Sequence, residues 1–170
     1  MKGRVVVNTG EGKGKTTAAV GMAVRAVGRG MKVAMVQFMK GAIDTGEVEV
    51  LKRLGVEVHR MGTGFSWTKE SWEEDKALAR KGWEVAKGLL LGGEHQMVVL
   101  DELNYVVGYG LLEAAEVAET IQARPKGVHV VITGRGLAPE IQAVADTITE
   151  MRPIRHAFDS GIPATKGVEF

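Results

Sequence analysis

Residues 5–17 read Val-Val-Val-Asn-Thr-Gly-Glu-Gly-Lys-Gly-Lys-Thr-Thr, and this stretch decides the fold. The valines predict a buried strand that ends at Asn8, and the segment from Thr16 to Gly28 has the period of a helix. Glycines between the two let backbone N–H groups turn toward one anion, and the helix adds its positive N-terminal end. Lys15 can reach phosphates, while the Thr16 hydroxyl is placed to bind Mg²⁺. The stretch therefore predicts a loop that holds the triphosphate of ATP, made of Thr9, Gly10, Glu11, Gly12, Lys13, Gly14, Lys15, Thr16 and Thr17.

The glycines of this loop depart from the usual spacing of a phosphate-binding loop. The pattern G-x-x-x-x-G-K-[ST] places its first glycine at the position that Thr9 occupies here. The alternative interpretation is a glycine-rich turn between strand and helix that binds nothing. The order of strand, loop, Gly-Lys-Thr and helix favours phosphate binding.

The rest of the chain alternates short β-branched runs with helical segments. Strands covered on both faces and separated by helices indicate a parallel sheet with right-handed crossovers. We expect one α/β domain over residues 1–170, with a mostly parallel central sheet, helices on both faces and a P-loop, RecA-like architecture. Ligands in such folds bind at the carboxyl ends of the strands. Further strands are predicted at 33–38, 56–60, 97–100, 128–132 and 147–151, and further helices at 47–54, 69–91, 112–123 and 139–145.

The composition limits the classes of partner. The chain has 22 basic and 21 acidic residues, a net charge of +1, so we expect no nucleic-acid partner, which would require a basic surface. It has no cysteine, which excludes disulfides and Cys-ligated zinc. The sequence shows neither a signal peptide nor an apolar run long enough to span a bilayer. We expect a cytoplasmic protein with no membrane partner.

A second acidic element follows the strand Met-Val-Val-Leu at 97–100, where Asp101 and Glu102 stand side by side. In P-loop proteins an acid at this place organises Mg²⁺ and its waters. The predicted metal ligands for Mg²⁺ (or Mn²⁺) are Thr16, Asp101 and Glu102, with the direct ligand among the two acids left open. The alternative is a solvated pair that caps the next helix. The loop and the acidic strand together indicate nucleotide binding. They leave the type of reaction open, since Glu102 could also be the general base of an ATPase.

A series of sequence blocks occurs in an order that one known family shares. The blocks lie at 9–19, 21, 25–28, 36–41, 46–47, 62–67, 98–103, 132–136, 152–153, 156–161 and 166–170. Together they resemble the P-loop type of ATP:corrinoid adenosyltransferase. The resemblance implies transfer of the 5′-deoxyadenosyl group of ATP to Co(I) of a reduced corrinoid, with release of tripolyphosphate.

The predicted catalytic residues for this reaction are Lys15, Thr16 and Glu102. We also expect the triphosphate to lie in the loop with unusual polarity, because the ribose carbon must react. The resemblance further implies a flavoprotein reductant and a homodimer.

The corrinoid side is predicted from residues beyond the loop. The resemblance suggests that Phe65 and Trp67, on a glycine-flanked loop, displace the lower axial ligand of cobalt; the alternative is that they anchor the loop to the core. Arg135 is a candidate contact for phosphate or corrinoid, or else a surface arginine. Arg25 is a candidate for a terminal phosphate. Some family members close the site with a basic N-terminal helix, whereas three residues precede Arg4 here. We therefore expect either another means of closure or a more exposed corrinoid.

Two other functions are alternatives to the transferase. A P-loop ATPase or small-molecule kinase would release phosphate or a phosphorylated acceptor instead of tripolyphosphate. A nucleotide-dependent binding module would instead deliver a corrinoid to a partner.

Overall fold

The computed structural model of the chain describes residues 2–39, 45–61 and 72–169. Within these residues there are six strands: β1 (Val5–Thr9), β2 (Val33–Gln37), β3 (Glu57–Arg60), β4 (Met97–Asp101), β5 (His129–Thr133) and β6 (Thr147–Glu150). They form one parallel sheet in the order β3-β2-β4-β5-β1-β6. Their carboxyl ends therefore meet at one edge, as the sequence predicts.

Helices cover both faces of the sheet, and two apolar cores result. One core packs α1 and α2 against the sheet, and the other packs α3 to α6 against the opposite face. Side chains alternate between faces along a strand, so Val98 and Leu100 enter one core while Met97 and Val99 enter the other. The helices are α1 (Lys15–Val27), α2 (Gly46–Arg53), α3 (Trp72–Leu91), α4 (Leu103–Gly108), α5 (Ala114–Ala123) and α6 (Pro139–Val144).

The strand that leads into the glycine-rich loop and the strand that ends in Asp101 are not neighbours. β5 lies between β1 and β4, with Val5 level with Val130 on one side and Val98 level with Val130 on the other. Residues at the end of β5 are therefore placed to contact both the loop and the acidic strand.

The predicted α/β sheet with helices on both faces is confirmed, and it fits a P-loop NTPase-like architecture. The short helix α4 directly after Glu102 and a 3₁₀ turn at Ala157–Ser160 were not predicted. The predicted start of the third helix, Lys69, falls outside the described residues; the described helix begins at Trp72. None of the described helices has the length and apolar character needed to cross a membrane. The assignment of residues 1–170 to one domain stays a prediction.

Candidate functional site

The glycine-rich loop encloses the side chain of Lys15. Gly10 and Gly14 adopt positive φ angles of 96° and 111°, which glycine takes without a steric penalty. The Lys15 Nζ donates to the carbonyl oxygens of Gly10 and Gly12, both at 2.7 Å, and the residue is 7% exposed. Burial lowers the pKa of the Lys15 ammonium, an effect that the nearby Glu102 carboxylate opposes. The loop therefore presents a preorganised positive charge.

The chain that follows β6 explains the unusual positions of the glycines. The Gly12 N–H donates to the Met151 carbonyl at 2.7 Å, and the Met151 N–H donates to the Thr9 carbonyl at 2.8 Å. A Cβ atom would lie 2.5 Å from the Met151 oxygen if placed on Gly10, and 2.8 Å if placed on Gly12. Glycines at 10 and 12 are thus required by this backbone contact, whatever the orientation of a bound nucleotide.

Asp101 is a fully buried carboxylate that positions the Thr16 hydroxyl. Its Oδ1 accepts hydrogen bonds from Thr16 Oγ1 at 2.8 Å and Thr133 Oγ1 at 2.7 Å. Its Oδ2 accepts one from Gln37 Nε2 at 3.2 Å. Because the Thr16 hydroxyl donates its hydrogen bond to Asp101, the lone pairs of its oxygen remain available to a cation. Asp101 is therefore placed to act on a metal through Thr16.

Glu102 differs from its neighbour in both backbone and environment. Its φ of 62° makes it the one non-glycine among the described residues with a positive φ, a conformation that costs roughly 1–2 kcal/mol. The Glu102 N–H donates to Thr133 Oγ1 at 2.8 Å, and its carbonyl accepts from the Tyr105 N–H at 3.1 Å. This turn makes the residue a wall of the cavity that the loop borders. Strain of this kind is concentrated at functional sites.

Two cavities meet at the loop. The first, of about 510 Å³, is bordered by residues 13–17 of the loop together with Gly46, Glu102 and Glu169. The second, of about 480 Å³, shares Lys13 and Lys15 with the first. Its other lining residues are Glu11, Gly12, Arg135, Pro153, His156, Phe158 and Asp159.

Arg135 is brought to the loop, whereas Arg25 is not. The Arg135 Nη1 lies 3.0 Å from Glu11 Oε2. Arg25 lies in the last turn of α1, which places it about 15 Å along the helix axis from Lys15. It borders a separate cavity with Arg4 and His129, at the amino ends of β1 and β5. The predicted contact of Arg25 with a terminal phosphate stays a prediction.

The remaining predicted residues divide into two groups. Thr9 ends β1, and Thr17 borders the first cavity beside Thr16. Phe65 and Trp67 lie outside the described residues. Their predicted contact with a corrin ring stays a prediction.

Sequence reasoning missed the polar side chains that organise the two acids. Thr133 is fully buried, and its hydroxyl joins the Asp101 carboxylate to the Glu102 N–H. Gln37 is also fully buried and level with Asp101 in the sheet. Asn104 Nδ2 donates to the Gly134 carbonyl at 3.1 Å, which ties α4 to the turn after β5. The available signal was the place of Thr133 and Gln37 in the sequence, each at the end of a run of apolar strand residues.

The donor set fits a hard divalent cation. Thr16 and Glu102 offer oxygen atoms to the same cavity, with Asp101 behind Thr16. Among the described residues no group of three or more acidic, His or Cys side chains forms a cage. Mg²⁺ commonly takes one or two protein oxygens and completes its shell with phosphate oxygens and water. The residues present therefore suit Mg²⁺ that arrives with a nucleotide.

Comparison with known proteins gives a consistent result. The model of the family described as ATP:corrinoid adenosyltransferase BtuR/CobO/CobP matches residues 1–170. The chain is 47% identical to the corrinoid adenosyltransferase of Escherichia coli K12 over 169 residues, which are 99% of this chain and 86% of that protein. It is 49% identical over 171 residues to the corrinoid adenosyltransferase of Pseudomonas aeruginosa PAO1, with 99% and 84% covered. It is 46% identical over 169 residues to corrinoid adenosyltransferase CobA of Salmonella typhimurium LT2, with 99% and 86% covered.

Proposed function

The chain belongs to the ATP:corrinoid adenosyltransferase family, and from this we propose that it transfers the 5′-deoxyadenosyl group of ATP to the cobalt of a reduced corrinoid. The observation that carries the proposal is the enclosed Lys15 beside Thr16 and Glu102, all on one cavity. Tripolyphosphate is the second product. An ATPase or small-molecule kinase is the less favoured alternative, because the match to relatives named corrinoid adenosyltransferase covers 99% of this chain.

The reaction places particular demands on the loop. The electron pair of Co(I) attacks C5′ of the ribose, so that a Co–C bond forms as the C5′–O bond breaks. The pair of the broken bond leaves with the triphosphate, and negative charge develops on the oxygen next to the α-phosphate. Lys15 and the loop N–H groups other than that of Gly12 are donors that would stabilise such charge. The loop must then present the ribose carbon, which is why we expect the triphosphate to lie with unusual polarity.

We also propose a metal site that includes the acidic residue after β4. Thr16 and Glu102 would hold Mg²⁺, or Mn²⁺ with the same donors, while Asp101 positions the Thr16 hydroxyl. Bound there, the cation neutralises charge on the phosphate oxygens. Direct ligation by Glu102 is supported by its place on the cavity wall. The buried Asp101 is instead occupied by Thr16, Thr133 and Gln37.

The corrinoid side rests on the family resemblance. We assign Phe65 and Trp67 to the corrin face and Arg135, beside Lys15 in the second cavity, to a phosphate or corrinoid contact. Replacement of either aromatic residue by Ala should lower adenosylation far more than ATP binding. A flavoprotein reductant and a homodimer belong to the same proposal and are likewise supported by the resemblance. A cytoplasmic location stays an expectation from the sequence.

The test mixes the protein with MgATP and chemically reduced cobalamin. We expect a light-sensitive Co–C product, seen in the visible spectrum, and tripolyphosphate in equal amount. Lys15→Ala should abolish both, whereas Lys81→Ala, on the exposed side of α3, should retain them. Release of inorganic phosphate or a phosphorylated acceptor without a Co–C product would contradict the transferase and favour the ATPase or kinase.

A further inference from the structure

The chain after β6 touches the phosphate loop at two points. Met151 forms backbone hydrogen bonds with Thr9 and Gly12. At the other end, Glu169 Oε1 lies 3.1 Å from Lys13 Nζ. Residues 167–169 border the same cavity as residues 13–17 of the loop. The Glu169 carboxylate therefore forms an ion pair with a lysine of the loop to which we assign a triphosphate.

The Glu169 carboxylate is held in place from both sides. Its Oε2 accepts the Thr165 N–H at 2.7 Å, while Oε1 faces Lys13. The Thr165 N–H, and after it the Lys13 ammonium, lower the pKa of the Glu169 carboxyl. The group is consequently charged at neutral pH, and it carries the same sign as the phosphates.

The segment between the two contact points is weakly tied to the core. Apart from His156, every residue from 152 to 169 is exposed, and Ile154 and Phe158 are 95% and 78% exposed. Segments with little buried apolar surface open at low free-energy cost. Displacement of Glu169 from Lys13 would thus disturb few other contacts.

The reaction itself gives this contact a role. Because the C5′–O bond is the one that breaks, the product tripolyphosphate keeps every phosphate contact that ATP made. A loop that binds the triphosphate of ATP tightly would retain the product equally tightly. Turnover therefore gains from a group that competes with polyphosphate for the loop.

On the basis of the proposed function, we propose that Glu169 is an internal competitor of the triphosphate for Lys13 and promotes the release of tripolyphosphate. It is a positioning residue, since it acts on the reaction through Lys13. A polyphosphate in the loop displaces the carboxylate, and the carboxylate returns to Lys13 as the product leaves.

The experiment measures binding of magnesium tripolyphosphate and of adenosine by calorimetry, together with the rate at which tripolyphosphate dissociates. Glu169→Gln removes the charge and keeps the size of the side chain. We expect it to bind tripolyphosphate about fivefold more tightly, through slower dissociation, with a smaller effect at high salt. Binding of uncharged adenosine should not change. Glu84→Gln, which removes a Glu from another Lys–Glu pair, at Lys87 on α3, is the matched control and should behave as wild type.

A double variant identifies the partner of Glu169. In a Lys13→Met background the effect of Glu169→Gln should fall to less than about twofold, since the competed lysine is gone. Unchanged or weaker tripolyphosphate binding in Glu169→Gln would overturn the proposal while the Lys15-dependent site stands. Equal tightening of adenosine would overturn it too, by showing that the tail blocks the cavity sterically. Absence of tripolyphosphate binding in the wild type would overturn the proposed function as well.

Discussion

Replacement of Thr133 by Val tests whether one hydroxyl organises the acidic end of the site. Thr133 Oγ1 donates to Asp101 Oδ1 at 2.7 Å and accepts the Glu102 N–H at 2.8 Å. Valine has nearly the same shape, so the variant removes both hydrogen bonds without opening a cavity. The fully buried Asp101 keeps Thr16 and Gln37 as donors, but Glu102 loses the acceptor that holds its strained backbone.

The expected cost follows from these two bonds. A hydrogen bond to a charged group contributes about 1.5–3 kcal/mol, and a donor left unsatisfied in a partly buried place costs about 1–3 kcal/mol. Since the two effects share one side chain and the surroundings relax, we expect the free energy of unfolding to fall by about 3 kcal/mol. We also expect kcat for adenosylation to fall by at least about tenfold, because a released Glu102 would no longer hold its place on the cavity wall.

Urea denaturation and steady-state adenosylation provide the measurements. Thr120→Val is the matched control, since Thr120 Oγ1 donates to the Glu116 carbonyl within α5 at 2.9 Å. Loss of this bond should cost less than about 1 kcal/mol. Thr133→Ser keeps the hydroxyl and should keep most of the activity, at the cost of one methyl group. If Thr133→Val and Thr120→Val differ by less than about 1 kcal/mol, the reasoning about Thr133 is wrong.

Two further predictions concern the loop. Gly12→Ala should lower the free energy of unfolding by about 1–3 kcal/mol, because its Cβ would meet the Met151 carbonyl. Gly21→Ala, in α1 with open space around it, should raise the free energy of unfolding by about 0.5–1 kcal/mol. Urea midpoints of the two variants that shift in the same direction would refute this. Burial lowers the pKa of Lys15 from 10.5, so the unfolded chain binds more protons between the two pKa values and stability rises with pH there. The unfolding free energy of wild type minus that of Lys15→Met should therefore grow as the pH approaches 10.5, and a flat difference would contradict the assignment.

The features that the sequence predicts are those formed by contiguous residues. The loop at 9–17 and the acids at 101–102 are predicted from the local sequence pattern. Unbroken apolar runs predict strands that are buried on both faces. Thr133 and Gln37 gain their roles only through the strand order β2-β4-β5, which brings them beside Asp101. No local pattern predicts that order.

Other features depend on contacts between distant parts of the chain. The sequence predicts glycines that turn N–H groups toward an anion, whereas the structure shows that the chain at 151–152 leaves no room for a Cβ atom at positions 10 and 12. That contact joins residues at opposite ends of the sequence, so the loop alone could not indicate it.

The pairing of β1 has a consequence for synthesis of the chain on the ribosome. β1 is the first of the described strands to be made, yet its described partners in the sheet are β5 and β6. The loop also needs the Met151 backbone to complete its hydrogen bonds. At about 5–20 residues per second, the delay between β1 and residue 151 lasts roughly seven to thirty seconds. A nascent chain would therefore acquire the proposed ability to bind ATP abruptly and late. A ribosome stalled before residue 151 should carry a chain that no nucleotide can stabilise.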